Sequence, residues 1–337
     1  MFDIDKDIKK AWTLPSEFYT DAEVFAASRE KIFAPSWQLV GHADSVEQLH
    51  PKTILQGMLD EPALLVRTQE GIRCLTNVCT HRAMLLVEEP CSGDLIRCRY
   101  HGRRFSLDGK MLSMPEFEEV ENFPSESDDL STIESAELGG FVFASVSPSV
   151  KFWEMTDDIA WLFERATAEG LRLTATREYE VNAHWALYCE NYLEGFHIPY
   201  VHQGLNAVVD YGSYTTDLYR FASVQTGLDD RGEVAARYMF IFPNLMFNFY
   251  PWGISVNIVR PVAVDRTIVE FQTYVRDETF LEKGAGAYLH TVEMEDEAVV
   301  ENVQRGVRSR FYDRGRYSPA REQGTHHFHR LIAEAMN

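Results

Sequence analysis

The chain has 337 residues, enough for two domains with separate cores. Hydrophobic residues make up 45% and charged residues 25%, an ordinary globular composition that argues against extended disorder. With 52 acidic against 32 basic residues the formal charge is −20, which repels polyanions and excludes nucleic acid and anionic membrane as expected partners.

No apolar run approaches the ~20 residues needed to cross a bilayer. The opening MFDIDKDIKK lacks the apolar stretch of a secretory signal, so the expected location is cytoplasmic. Val24, Phe25, Ala27 and Phe33 can share a face, which predicts a short helix over residues 21–35. From Trp37 to about Val146, short apolar runs such as PALLVRT, GDLIRCRY and GGFVFASV alternate with glycine turns, the pattern of a small all-β unit. Pro148 and the charged helical stretch KFWEMTDDIAWLFERA mark a boundary. Beyond it RLTATREYEV reads as a strand and HWALYCENYLE as a helix. The runs YMFIFPNLMFNFY, SVNIVRPV and TIVEFQTYV read as successive antiparallel strands, followed by a long helix over Tyr288 to Tyr312 and a shorter terminal one. The expected fold class is α+β: an all-β domain over 37–148, then a domain over 149–337 with an antiparallel sheet flanked by helices. Residues 1–36 are expected to be a helical segment packing on the second domain.

Five cysteines, Cys74, Cys79, Cys91, Cys98 and Cys189, are an odd number, and in a reducing compartment they point to metal ligation or burial rather than disulfides. Two of them open mixed pairs: Cys79-Thr-His81, then sixteen residues, then Cys98-Arg-Tyr-His101. Two Cys/His pairs suit a [2Fe–2S] cluster with two thiolates on one iron and two imidazoles on the other. A Cys2His2 zinc site is the alternative, although zinc more often pairs like with like. The arrangement resembles the Rieske domain family over roughly residues 37–146. That resemblance implies that Cys79 and Cys98 hold one iron, and His81 and His101 the other. Arg82 fits the family's C-x-H-R pattern, while Ala83 stands where glycine is usual and Arg103 where tryptophan often follows His-Gly. The respiratory branch adds a disulfide whose cysteine positions are Met84 and Tyr100 here, so that branch is excluded. Cys74, Cys91 and Cys189 are expected to be buried or inert. Arg73, Arg82, Arg97, Arg99, Arg103 and Arg104 crowd this region, either as a solvated face or as a docking surface for an acidic electron donor.

A second constellation lies at Glu194-Gly-Phe-His197-Ile-Pro-Tyr-Val-His202. Two histidines and a carboxylate form a facial triad that leaves open positions on Fe(II). The segment resembles the catalytic motif of the Rieske non-haem iron oxygenases, acidic-x-x-His-x4-His. The resemblance implies that His197 and His202 bind a mononuclear iron. A late acidic-Asp-x4-Glu pattern fits Glu295-Asp296 to Glu301 and implies Asp296 as the third ligand. Glu293, Glu295, Glu297 and Glu301 surround it, as they would on a solvated acidic helix face. Glu194 stands where most of the family has aspartate. The resemblance implies that it bridges the two metal centres across a subunit interface, three residues before His197 and one helical turn from it, in a homotrimer. His326, His327 and His329 read as surface or packing residues, and His42, His50, His184 and His290 have no partner pattern.

The whole chain thus resembles the oxygenase component of a Rieske system, with O2 and a small molecule as substrates. No G-x-G-x-x-G fingerprint occurs, so electrons are expected from a separate NAD(P)H-dependent reductase or ferredoxin. NYLEGFHIPYVHQGL and FPNLMFNFYPWGISVNIVRP look closest to the choline and glycine-betaine monooxygenase branch, which implies hydroxylation or demethylation at an N-methyl group. Tyr238, Phe240, Phe242, Phe247, Phe249, Tyr250 and Trp252 either cage a trimethylammonium group or form the buried face of a sheet. Ring hydroxylation of an aromatic compound is the alternative reaction. A Rieske ferredoxin-type electron carrier is the alternative without catalysis.

Overall fold

The alternating apolar runs of the first half pair into two antiparallel sheets. Six strands, β1 (Gln38–His42), β2 (Leu49–Ile54), β3 (Glu61–Thr68), β4 (Gly71–Thr76), β8 (Thr132–Leu138) and β9 (Phe141–Ser145), form a sheet in the order β1-β9-β8-β4-β3-β2. Three short strands, β5 (Ile96–Arg97), β6 (Arg104–Phe105) and β7 (Met111–Ser113), form the other. These assignments come from a computed structural model describing residues 2–167, 170–202, 204, 211–281 and 289–337. The chain divides into two compact units, residues 34–149 and residues 1–33 with 150–337. Among the described residues no helix is long and apolar enough to cross a membrane.

In the 34–149 unit the core joins Leu64, Leu75, Leu86, Ile96 and Phe105, and Cys79 and Cys98 lie within it. Each Cys/His pair sits on a tight turn. The amide of Ala83 donates to the Cys79 carbonyl at 3.0 Å, and that of Gly102 to the Cys98 carbonyl at 3.1 Å. Both turns need left-handed backbone, with φ +76° at Gly102 and +54° at Ala83.

The other unit is built on a seven-stranded antiparallel sheet. Its strands are β10 (Arg172–Val181), β11 (Thr215–Leu218), β12 (Ala222–Leu228), β13 (Val234–Ile241), β14 (Leu245–Tyr250), β15 (Gly253–Ala263) and β16 (Arg266–Val275), in the order β10-β16-β15-β14-β13-β12-β11. YMFIFPNLMFNFY is therefore two strands rather than one, because Pro243 cannot donate to a ladder and falls in the turn between β13 and β14. Period-two alternation puts Tyr238, Asn248 and Ser255 in one cross-strand row. Met246, Asn257 and Phe271 form the next row.

Among the described residues the helices of this unit include α1 (Ser16–Thr20), α2 (Ala22–Ser28), α3 (Phe152–Thr156), α4 (Ala160–Thr167), α5 (Trp185–Tyr192), α6 (Ile198–Val201), α7 (Leu289–Gly306) and α8 (Gln323–Met336). The predicted 21–35 helix is α2 continued by a π-helical turn, Arg29–Phe33. The predicted 288–312 helix stops at Gly306, and Tyr288 lies outside the described residues. Glu293, Val300 and Gln304 are the buried positions of α7, and their spacing places them on one face. That face meets α5 through polar rungs. The Tyr188 hydroxyl donates to the Glu293 carboxylate, 3.0 and 2.8 Å from its two oxygens, and the amide of His184 donates to Gln304 Oε1 at 2.8 Å. On its other side Trp185 packs edge-on against Phe33 at 5.0 Å and Phe328 at 5.8 Å. Gly324 of α8 packs against the Leu193 carbonyl, where a Cβ would come within 2.4 Å.

Left-handed backbone costs an L side chain about 1–2 kcal/mol, and glycine's extra chain entropy offsets part of that. Ala83→Gly is therefore expected to stabilise the protein by roughly 0.5–1 kcal/mol. A denaturation midpoint that is unchanged or lower would show that the turn at Ala83 is unstrained.

Candidate metal centres and substrate cavity

In the 34–149 unit the Cys79 and Cys98 side chains are each 2% exposed, whereas His101 is exposed. The His81 and His101 rings meet edge to face at 4.9 Å. Tyr100 lies over His101 with ring centroids 3.7 Å apart. Burial pushes the Cys79 thiol up, the His81 backbone amide pulls it down, and the Cys98 side chain adds to the rise. Two thiols close enough to act on one another, beside two facing imidazoles, match the donor chemistry of a cluster with thiolates on one side and imidazoles on the other.

Arg103 does not belong to the basic face. It is 2% exposed and pairs with Asp128 at 2.5 Å, whereas Arg82, Arg97, Arg99 and Arg104 are exposed. Cys74 and Cys189 are buried, but Cys91 is exposed. His326 and His329 are packing residues, at 6% and 0% exposure.

In the other unit His197 and His202 bracket α6, one at its start and one at its end. One ligand atom from each, with one from Asp296 of α7, lie within 4.8 Å of one another. Asp296 Oδ1 is 2.9 Å from His202 Nε2 and 3.5 Å from His197 Nε2. The opposite ring nitrogens are held by carboxylates: His197 Nδ1 by Glu194 Oε1 and His202 Nδ1 by Glu295 Oε2, each at 2.7 Å. Carboxylates on Nδ1 fix the tautomer and turn both Nε2 lone pairs toward Asp296, the arrangement that presents histidines to a metal. Burial lowers the His202 pKa, but hydrogen bonds and charge from Asp296 and Glu295 outweigh it and hold the group above its ordinary value. Such an excess of negative charge around two imidazoles suits a divalent cation.

Glu194 reaches His197 differently from the helical turn its spacing predicts. Helix α5 ends at Tyr192, and Glu194 sits in the following loop. There its carboxylate accepts the backbone amides of Phe196 and of His197, the latter at 3.1 Å. The role of Glu295 as the partner of His202 is not apparent from sequence beyond its place in an acidic run. Glu301 instead accepts from Asn182, whose backbone amide lies 3.0 Å away.

A cavity of about 110 Å³ adjoins the triad. Its lining includes Tyr188, Tyr192, Tyr214, Tyr238 and Tyr250, with Asn191, Asn248, Ser255, Asn257 and Glu293. Of the seven aromatic residues singled out in sequence, only Tyr238 and Tyr250 line it. Phe242 packs on Phe328, Phe247 and Phe249 on Phe163, and Trp252 stacks behind Tyr250. Tyr214 carries no sequence signal. Burial pushes the Glu293 carboxyl up to about 8, although the Tyr188 hydrogen bond opposes the rise.

The Ring hydroxylating alpha subunit (catalytic domain) family matches residues 210–337, and the Rieske [2Fe-2S] domain family matches residues 36–124. The chloroplastic choline monooxygenase of Arabidopsis thaliana is 31% identical, over 98% of this chain and 84% of its own length. The chain belongs to the Rieske non-haem iron oxygenases. The carnitine monooxygenase oxygenase subunit of Escherichia coli (strain K12) is 30% identical, over 97% of this oxygenase and 94% of its own length. A crystal structure of the quaternary ammonium Rieske monooxygenase CntA with L-carnitine superposes with TM-score 0.83 at 26% identity, covering 98% of this chain and 97% of that one. Naphthalene 1,2-dioxygenase from Rhodococcus sp. shares the fold, with TM-score 0.76 at 16% identity over 96% of this chain and 94% of its own.

This oxygenase is thus an oxidoreductase with a Rieske [2Fe–2S] cluster and a mononuclear non-haem iron, taking electrons from a separate protein and acting on a small molecule. Both donor sets fit those groups. His197→Ala is expected to lower iron by about one atom per chain while the visible spectrum of the cluster, which has its own ligands, is kept. Loss of that spectrum from a folded variant would contradict the separation of the two sites.

Proposed function

We propose that this oxygenase oxidises a quaternary ammonium compound at an N-methyl group, by hydroxylation or demethylation. The observation that carries the reading is the wall of five tyrosines, Tyr188, Tyr192, Tyr214, Tyr238 and Tyr250, beside the His197–His202–Asp296 triad. Tyr214 and Tyr238 stack at 6.4 Å, and Tyr250 meets Tyr238 edge-on at 6.0 Å. Burial pushes the phenols of Tyr192, Tyr214, Tyr238 and Tyr250 far up, so the rings stay neutral and offer π-faces to a cation that has no N–H to donate. The choline and carnitine monooxygenases to which this chain is similar take their names from such cations.

In this reading Cys79, Cys98, His81 and His101 hold the cluster, and His197, His202 and Asp296 hold the iron. When bound, the cluster supplies single electrons and the iron activates dioxygen beside the substrate. Glu194 and Glu295 orient the two iron-binding imidazoles. Glu194 also accepts a hydrogen bond from His101 of the partner subunit, in a homotrimer closed by head-to-tail contacts. Inter-subunit electron transfer is described for a quaternary ammonium Rieske monooxygenase of solved structure that is 25% identical to this chain, which supports such a route. Exposed Arg82, Arg97, Arg99 and Arg104 offer an acidic reductase or ferredoxin, itself reduced by NAD(P)H, a surface of opposite sign. The three remaining cysteines, Cys74, Cys91 and Cys189, form no disulfide, which suits the reducing cytoplasm.

The test is substrate-dependent NADH and oxygen consumption with a generic reductase, screened over methylated amines and aromatic acids. Methylated amines should support coupled turnover. In the same assay Glu194→Ala should keep a reducible cluster and most of its iron, yet lose turnover on the order of 10–100-fold. Turnover of aromatic acids alone would overturn the substrate class, and full turnover by Glu194→Ala would overturn the bridging role.

A further inference from the structure

Charge is unevenly placed in this acidic chain. Residues 305–316 hold five arginines, Arg305, Arg308, Arg310, Arg314 and Arg316, against one acid, Asp313. All five are exposed. Arg308 pairs with Asp265 and Arg314 with Asp313, while the Arg316 guanidinium is donated to the carbonyls of Ala11 and Lys9 at 3.0 and 2.7 Å. Aromatic rings stand out among these cations. Phe311 is 94% exposed, and Arg316 lies over the exposed Trp12 ring at 4.8 Å. Exposed rings among cations, on a chain of net charge −20, fit a partner that presents acidic and apolar groups together.

This segment leads to the loop of Glu194. Just beyond it, the buried Tyr317 hydroxyl bonds His329 Nδ1 of α8 at 2.6 Å. His329 Nε2 lies 3.0 Å from Glu190 Oε1, four residues before Glu194. On the other side of Glu194, Phe196 and Tyr200 meet edge-on at 6.4 Å, and Tyr200 is 79% exposed.

The 34–149 unit carries the complementary surface beside its cluster ligands. Within residues 116–121 stand four exposed carboxylates, Glu116, Glu118, Glu119 and Glu121. Phe117, among them, meets the His81 ring edge-on at 5.6 Å, and exposed Tyr100 lies over His101. One unit thus sets acidic and apolar groups beside the cluster histidines, and the other sets arginines and aromatic rings on the approach to Glu194.

We propose that residues 116–121 of one protomer dock on the arginine segment 308–316 of the next, and that this pairing of charge brings His101 to the partner subunit's Glu194. The inference rests on the head-to-tail trimer proposed above and names surfaces that close it. A second copy is the occupant because the two surfaces differ and are complementary, so a ring of head-to-tail contacts satisfies every one of them.

The experiment follows mass by sedimentation, together with turnover, for the full-length protein carrying its metal centres, at low salt and at ~1 M salt, where screening reaches within ~3 Å. The wild type should be a trimer that loosens at high salt. Glu118→Arg with Glu119→Arg, or Arg310→Glu with Arg314→Glu, should each weaken assembly at least tenfold and lower turnover in parallel, with the cluster spectrum kept. Combining both pairs restores opposite charges and should recover the trimer and most of the turnover, which a misfolded variant cannot do. Either pair remaining fully trimeric, or a combined variant no better than either pair, would overturn the proposal. So would loss of cluster reduction by the reductase in a trimeric Arg310→Glu, Arg314→Glu variant, which would make the segment a reductase site. A wild type that is monomeric at every salt concentration yet turns over fully would instead overturn the trimer beneath it.

Discussion

The proposed iron site depends on one buried polar contact between two helices far apart in the chain. The Tyr188 hydroxyl of α5 and the Glu293 carboxylate of α7 are 105 residues apart in sequence and meet with both partners buried. Each would be left unsatisfied without the other, which for a buried group costs about 1–3 kcal/mol. The register this sets puts Asp296, one helical turn beyond Glu293, against His202. Further along α7, Gln304 accepts the backbone amide of His184, so the same helix face is held at both ends. Histidines from a loop and a carboxylate from a helix thereby become one site.

Electrostatics then give the site its direction. Glu194, Glu293, Glu295 and Asp296 gather around two imidazoles, and a cluster so acidic is stable only if cations or protons enter it. In the proposed reading a metal answers that need at the Nε2 side of the histidines. On the cavity side the lining is largely neutral tyrosines and amides.

The parts of the site written locally are legible in sequence. Cys79-Thr-His81, Cys98-Arg-Tyr-His101 and His197 to His202 each fall on a single short turn or helix, where spacing fixes geometry. The all-β run and the following strands are legible for the same reason, through period-two alternation. What depends on tertiary register is not. Asn248 and Asn257 face the cavity only because β14 and β15 pair as they do, and Tyr214 enters from a segment with no motif. Most of the aromatic run is core, since alternation sends every second ring to the far side of the sheet. Arg103 departs from its arginine neighbours because Asp128, 25 residues on, draws it inward. Helical spacing predicts the Glu194 contact, whereas a capping loop makes it, and spacing alone does not distinguish the two.

Replacing Tyr188 by phenylalanine removes a single hydroxyl and tests whether the α5–α7 contact governs the iron site. The deciding measurement is iron per chain alongside the visible spectrum of the cluster. The account predicts that Tyr188→Phe folds and keeps the cluster spectrum but loses most of its mononuclear iron, because Asp296 is no longer held against His202. A variant retaining full mononuclear iron and full turnover would contradict it.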